Sequence, residues 1–143
     1  MFKPAAVTAY LVEDNPLIRD NLVAALEELV PLRVLGSTTN EADAVRWMDT
    51  NHPPCDVIIV DLFLHTGSGL GVLRALQART LTCRPVVLSN YATAEMRKRC
   101  QALGAQRVFD KSSDIDELVA WCAALLPHET VAASAATPSA ATE

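Results

Sequence analysis

Five short apolar runs, each followed by a stretch with helical spacing, constrain this chain more than any other feature. The runs fall at Val7–Val12 and at residues 33–36, 56–61, 85–89 and 107–109. Each has strand length, and the third, Asp56-Val57-Ile58-Ile59-Val60-Asp61, is apolar throughout its interior. Continuous rather than alternating hydrophobicity marks strands buried on both faces, as in a parallel sheet. Between the runs, helical patterns recur. Asn15-Pro16 opens one that carries Leu17, Ile18, Leu22, Val23, Leu26, Leu29 and Val30. Asn40 caps a second, reaching about residue 49 with Ala44, Val45 and Met48. Gly67-Ser68-Gly69 leads into a third with Leu70, Val72, Leu73 and Leu76. Thr93 caps a fourth that runs to Leu103 and stops at Gly104, and Ser113 caps a fifth holding Ile115, Leu118, Val119, Trp121, Cys122 and Leu125. Alternation with short connections predicts an α/β fold, a doubly wound parallel sheet with right-handed crossovers. With 143 residues, half of them apolar, one domain can bury a substantial core. From Pro127 the chain turns to Ala, Ser, Thr and Pro, a composition that predicts a disordered tail over 127–143.

Two of the runs end in acids. Glu13-Asp14 follows Ala9-Tyr10-Leu11-Val12, and Asp61 follows Val57-Ile58-Ile59-Val60. Ligands of open α/β sheets bind outside the carboxyl ends of the strands, where strand order reverses. Adjacent acid-tipped strands would gather three carboxylates in one crevice, and like charges so close resist joint ionisation. A hard divalent cation such as Mg²⁺ relieves the conflict, since it takes carboxylate, carbonyl and water oxygens together with phosphate oxygens. The outline is that of a phosphoryl-transfer site. Ser89 closes the fourth run and Lys111 follows the fifth, so a hydroxyl and an ammonium join the acids on one sheet edge. Singly, each has a plainer reading: Asp14 a helix cap, Ser89 a turn hydroxyl, Lys111 a surface charge. Their joint order along successive strand ends carries the functional one.

With those five positions in place, the chain resembles a two-component response-regulator receiver domain over residues 7–126. The resemblance implies a flavodoxin-like five-stranded sheet of order 2-1-3-4-5 and Asp61 as the phosphoacceptor, attacking a phosphohistidine or small phosphodonor. It implies Mg²⁺ held by Asp14, Asp61 and the backbone carbonyl of Phe63, with Glu13 acting through water. Lys111 would pair with a phosphoryl oxygen as a point charge and Ser89 would hydrogen-bond another. Implied partners are a sensor histidine kinase or phosphotransfer protein and a downstream protein of unknown identity. A homodimer through the helix 4–strand 5–helix 5 face is a further possibility. Such a chain is not an enzyme beyond its own phosphorylation and slow self-dephosphorylation.

The departures from the family pattern are as informative. Receivers commonly carry Tyr or Phe three residues before the strand-five lysine, and this chain has Val108 there and Phe109 one place later. Strand alternation sends Phe109 to the other face, so output is expected to rely on Ser89 and the helix-four loop. Asn90 and Tyr91 are bulkier than usual after Ser89, and Phe63 and Tyr91 are expected to shield the phosphoryl bond from water. A constitutive interaction module with a degenerate site is the alternative reading. An aspartyl-nucleophile hydrolase is a third, but Asp61-Leu62-Phe63 offers neither an added acid nor a cap segment.

Other features exclude function classes. A net charge of −5 leaves no footprint for nucleic acid, and Arg97-Lys98-Arg99 reads as one solvated helix face. His65 lacks a second His or Cys partner and reads as a loop histidine; Gly67-x-Gly69-x-Gly71 is too loose for a dinucleotide motif. Trp47 and Trp121 read as packing residues. Cys55, Cys83, Cys100 and Cys122 show no metal spacing and read as reduced, mostly buried thiols. With no signal peptide and no apolar run near the roughly twenty residues that span a bilayer, a cytoplasmic location is expected. If the 143 residues are the whole product, a stand-alone receiver, its output is a protein contact.

Overall fold

A computed structural model describes residues 7–90 and 92–125. Its elements alternate as expected: β1 (Val7–Val12), α1 (Pro16–Leu29), β2 (Leu32–Thr38), α2 (Glu41–Met48), β3 (Val57–Asp61), α3 (Gly69–Gln77), β4 (Arg84–Ser89), α4 (Ala94–Ala102), β5 (Arg107–Asp110) and α5 (Ile115–Ala123). All strand pairs are parallel and the sheet order is β2-β1-β3-β4-β5. The chain therefore steps outward from β1 to β2, then returns past β1 to β3. The carboxyl ends of β1 and β3 meet where that direction reverses, which brings the ends carrying Glu13-Asp14 and Asp61 together.

Strand alternation divides the core. Ala9, Leu11, Val57, Ile59, Val86, Leu88 and Phe109 face α1 and α5, packing with Leu22, Leu26, Leu118 and Cys122. Tyr10, Val12, Ile58 and Val60 face α2 and α3, beside Ala44, Met48, Val72 and Leu76. Leu62, Val87 and Val108 pack with Leu73, Cys100 and Ala105 on the same side, toward α4. Phe109 and Val108 thus lie on opposite faces, as alternation requires. Fully burying side chains of this size stabilises the fold by about 1.5–3 kcal/mol each before entropy is counted.

Caps account for most helix starts. Asn15 Oδ1 accepts from the backbone N–H groups of Leu17 and Ile18, Asn40 Oδ1 from Asp43, Ser68 Oγ from Leu70 and Thr93 Oγ1 from Met96. Gly104 ends α4 with φ of +97°, a conformation that favours glycine. Gly69 starts α3 under a tighter constraint. Its N–H donates to Leu62 O at 3.0 Å, and a Cβ there would lie 2.4 Å from Asp61 O.

Three expectations need correction. Ser113 does not cap α5. Asp114 occupies that position, and its side chain instead accepts from the Asp110 N–H at 2.9 Å, turning back to brace the β5 end. Leu17 and Leu29 of α1 are exposed, at 69% and 62%, because the helix buries a narrower stripe centred on Leu22 and Leu26. The strands also run past their apolar runs: β2 extends to Thr38, β4 begins at Arg84 and β5 ends at Asp110, whereas β3 begins at Val57. Parallel pairing continues wherever a neighbour offers backbone partners, regardless of side-chain polarity. The segment 127–143 lies outside the described residues.

Candidate functional site

The five polar residues expected at the site all arrive at the carboxyl edge of the sheet. Glu13 and Asp14 follow β1, Asp61 is the last residue of β3, Ser89 the last of β4, and Lys111 follows β5. Glu13 and Asp61 are buried, an unusual state for acids, and Ser89 is buried beside them. Carboxylate oxygens of Glu13, Asp14 and Asp61 lie within 4.8 Å of one another.

Lys111 is what makes this burial tolerable. Its Nζ sits 2.9 Å from Glu13 Oε1 and 3.1 Å from Asp61 Oδ2, with only 10% of its side chain exposed. The backbone locks it there, since Lys111 N–H donates to Ser89 O at 3.0 Å and so continues the β4–β5 ladder one residue past the strand. Burial pushes the Lys111 ammonium down, but its hydrogen bond to Glu13 and the charge of Asp61 outweigh that and hold its pKa above the usual value. Asp61 responds the other way. Desolvation, then the Glu13 charge, raise its pKa to about 6, although Lys111 and the Phe63 N–H oppose the rise.

The remaining contacts aim the acids. Asp61 Oδ1 accepts from the Phe63 N–H at 3.3 Å, and Glu13 Oε2 accepts from the Asn15 N–H at 3.1 Å. Phe63 pairs through an isolated antiparallel bridge with Ser68, and its side chain is half exposed at 50%. Tyr91 lies outside the described residues.

One contact was not legible beforehand. Both the backbone N–H and Nδ1 of His65 lie 2.7 Å from Asp14 Oδ2, so a residue read as a loop histidine stands against the acid cluster. Its ring is 91% exposed, and no spacing rule links it to Asp14, fifty-one residues away. Arg97, in the run expected to form a solvated face, turns inward instead: its Nε donates to Ala92 O at 3.0 Å and its Nη1 to Val108 O at 2.7 Å.

Three buried or half-buried acids, a lysine bridging two of them and a buried serine thus share one edge of a 2-1-3-4-5 sheet. A family model for the response regulator receiver domain matches residues 9–123, and the chain belongs to that family. It is a receiver domain of two-component signalling. The chain is similar to the response regulator UvrY of Escherichia coli K12, at 25% identity over 113 residues, covering 79% of this chain and 51% of UvrY. A probable transcriptional regulatory protein of Picosynechococcus is 32% identical over 122 residues, covering 83% of this chain and 49% of that protein. The chain thus spans about half the length of these curated relatives. Among solved structures, the signal receiver domain of the putative response regulator NarL from Mycobacterium tuberculosis superposes with a TM-score of 0.74 at 25% identity, covering 85% of this chain and 99% of that domain. Among the described residues, no helix is long and apolar enough to cross a membrane.

Proposed function

We propose that this receiver accepts a phosphoryl group on Asp61 in a Mg²⁺-dependent reaction and thereby switches a contact with another protein. The observation that carries the reading is the placement of Asp61: a buried carboxylate with two further acids within 4.8 Å and Lys111 Nζ at 3.1 Å. Three carboxylates make an all-oxygen donor set of the hard kind that Mg²⁺ prefers. Asp14, Asp61 and the backbone carbonyl of Phe63 would hold the ion, with Glu13 reaching it through water. Bound there, it would supply positive charge against the phosphoryl oxygens.

The chain's own residues do the rest. Ionised Asp61 attacks phosphorus, the bond from phosphorus to the donor breaks, and an aspartyl phosphate forms. Lys111 keeps one charge on the phosphoryl group as it leaves the donor, and the Ser89 hydroxyl donates to a second oxygen. The donor is a sensor histidine kinase or phosphotransfer protein in the cytoplasm, and no turnover follows beyond slow self-dephosphorylation. The partner that reads the phosphorylated state is a protein, since the acidic chain has little to offer a phosphate backbone.

The direct test is incubation with acetyl phosphate or phosphoramidate and Mg²⁺, followed by intact-mass analysis. One acid-labile phosphoryl group is expected, abolished by Asp61→Asn and by EDTA. An unchanged mass with several donors would favour a constitutive interaction module instead.

A further inference from the structure

The far edge of the sheet, opposite Asp61, carries chemistry that phosphoryl transfer does not use. There the connections entering β3 and β4 run side by side. Val57 and Arg84 are register partners, and the Arg84 N–H donates to Asp56 O at 3.0 Å. The residues just outside this rung include Cys55 and Cys83. Both pack in the cluster with Tyr10, Met48, Ile58 and Leu76, near enough for each thiol to shift the other's ionisation. All four cysteines are free thiols. Cys100 and Cys122 are buried in two other clusters.

The pair is asymmetric in a way that suits stepwise oxidation. Cys83 is partly exposed, whereas Cys55 is buried at 2%. Donation from the Cys55 S–H favours the ionised Cys83 sulfur and lowers its pKa; the same contact, then burial, raises Cys55. Cys55 Sγ also lies 3.2 Å from Val57 O. The outer thiol is the more accessible and the more readily ionised, and the inner one lies in the same cluster to resolve what it forms.

We propose that Cys55 and Cys83 form a redox-responsive dithiol, which oxidants of the peroxide class convert reversibly into a disulfide tying the start of β3 to the start of β4. The Cys83 thiolate attacks a peroxide oxygen; the O–O bond breaks, an S–O bond forms, and the departing hydroxide takes a proton to leave as water. Cys55 sulfur then attacks Cys83 sulfur. The S–S bond forms, the S–O bond breaks, and the sulfenic hydroxyl leaves with the Cys55 proton as a second water. Two thiols give up two electrons, which reduce one peroxide to two waters. A small dithiol reverses the step by exchange.

The test uses the full chain, reduced and then exposed to hydrogen peroxide near pH 7 with EDTA present. Intact mass should fall by about 2 Da and recover with dithiothreitol, the signature of one disulfide on the thiol oxidation ladder. A non-reducing tryptic map should join the peptide 47–74 to the peptide 80–97, leaving Cys100 and Cys122 open to alkylation. In Cys55→Ala the mass loss should vanish and Cys83 should become trappable by dimedone; in Cys83→Ala neither should occur. Four alkylatable thiols after treatment would overturn the proposal, as would a bridge that includes Cys100 or Cys122, an intermolecular dimer, or oxygen adducts alone. The map of the unsubstituted chain decides by itself, so a variant that fails to fold leaves the test intact.

Discussion

The guanidinium of Arg97 donates from Nη1 to the Val108 carbonyl at 2.7 Å, tying α4 to β5 at the position where receivers commonly carry an aromatic residue. A second bond, from Nε to Ala92 O, holds the approach to α4 with the same side chain. Asp114 Oδ2, at the start of α5, stands 4.0 Å from its Nη2. The helix needs such an anchor, because Cys100 is its one fully buried residue among those described. Val108 fills the space under α4 without a ring that could swing, and a main-chain contact holds the helix in place.

Removing that anchor should loosen α4 more than it unfolds the domain. Arg97→Ala is expected to cost about 1–2 kcal/mol in urea denaturation, since it forfeits two charge-assisted bonds on a partly exposed side chain. Amide exchange should speed up across α4 and at β5 while the β1 and β3 amides stay protected. Uniform acceleration through the whole sheet would show that Arg97 anchors nothing local.

Asp61 makes stability depend on pH with a sign that can be checked. Its folded pKa, about 6, lies above the usual 3.8, so the folded state holds the proton more tightly. Stability from this group is complete below pH 3.8 and is lost as pH rises through about 6. At pH 7 the ionised group costs the apo fold about 1–3 kcal/mol. Asp61→Asn should therefore stabilise the apo protein by about 1–2 kcal/mol at pH 7, with the advantage fading by about pH 4. Attack on a phosphodonor needs the ionised form, so the phosphorylation rate at limiting Mg²⁺ should fall as pH drops below about 6. A rate and a stability difference both flat from pH 4.5 to 7.5 would contradict the raised pKa.

Lys111→Met leaves Glu13 and Asp61 facing each other in a buried site without a cation. The expected cost is about 3 kcal/mol at pH 7, in the range for orphaning a buried charge. Adding Glu13→Gln should restore part of it, because one of the repelling charges goes too, and a double-mutant cycle in urea measures that coupling. Strict additivity would mean that the 2.9 Å Lys111–Glu13 contact carries no interaction energy.

Phe63 follows Asp61 by two residues and supplies no acid or amide to orient an attacking water. Phe63→Asn should shorten the lifetime of the phosphorylated protein by about tenfold, since a positioned nucleophile is worth far more than a merely present one. The measurement is loss of the acyl phosphate by intact mass after the donor is removed. An unchanged decay would place the control of lifetime elsewhere.

How far the sequence could be read follows from which residues announce themselves. β3 was legible almost to its ends because every interior residue is apolar and buried. β2 was not, since Ser37 and Thr38 extend an edge strand whose outer side needs no apolar residue. Its register shift against Ala9 and Tyr10 lets the Tyr10 ring lie over Gly36, a fit that no local pattern encodes. Asp14, Asp61, Ser89 and Lys111 could be placed because strand ends are positions that periodicity reveals. The contact of His65 with Asp14 could not, since it depends on how the loop after β3 folds back toward β1. Nor could the nearness of Cys55 and Cys83, which depends on how the segments entering β3 and β4 run side by side.

Gly69 shows how little room this arrangement leaves for drift. Alanine, the smallest possible replacement, would push a methyl group into the Asp61 carbonyl, backbone that cannot swing aside as a flexible side chain would. Any allele at position 69 other than glycine therefore displaces either α3 or the end of β3, and the latter carries Asp61. Positions 61 and 69 are coupled through that one carbonyl oxygen: the place of the acid is set in part by a residue whose whole contribution is the absence of a side chain.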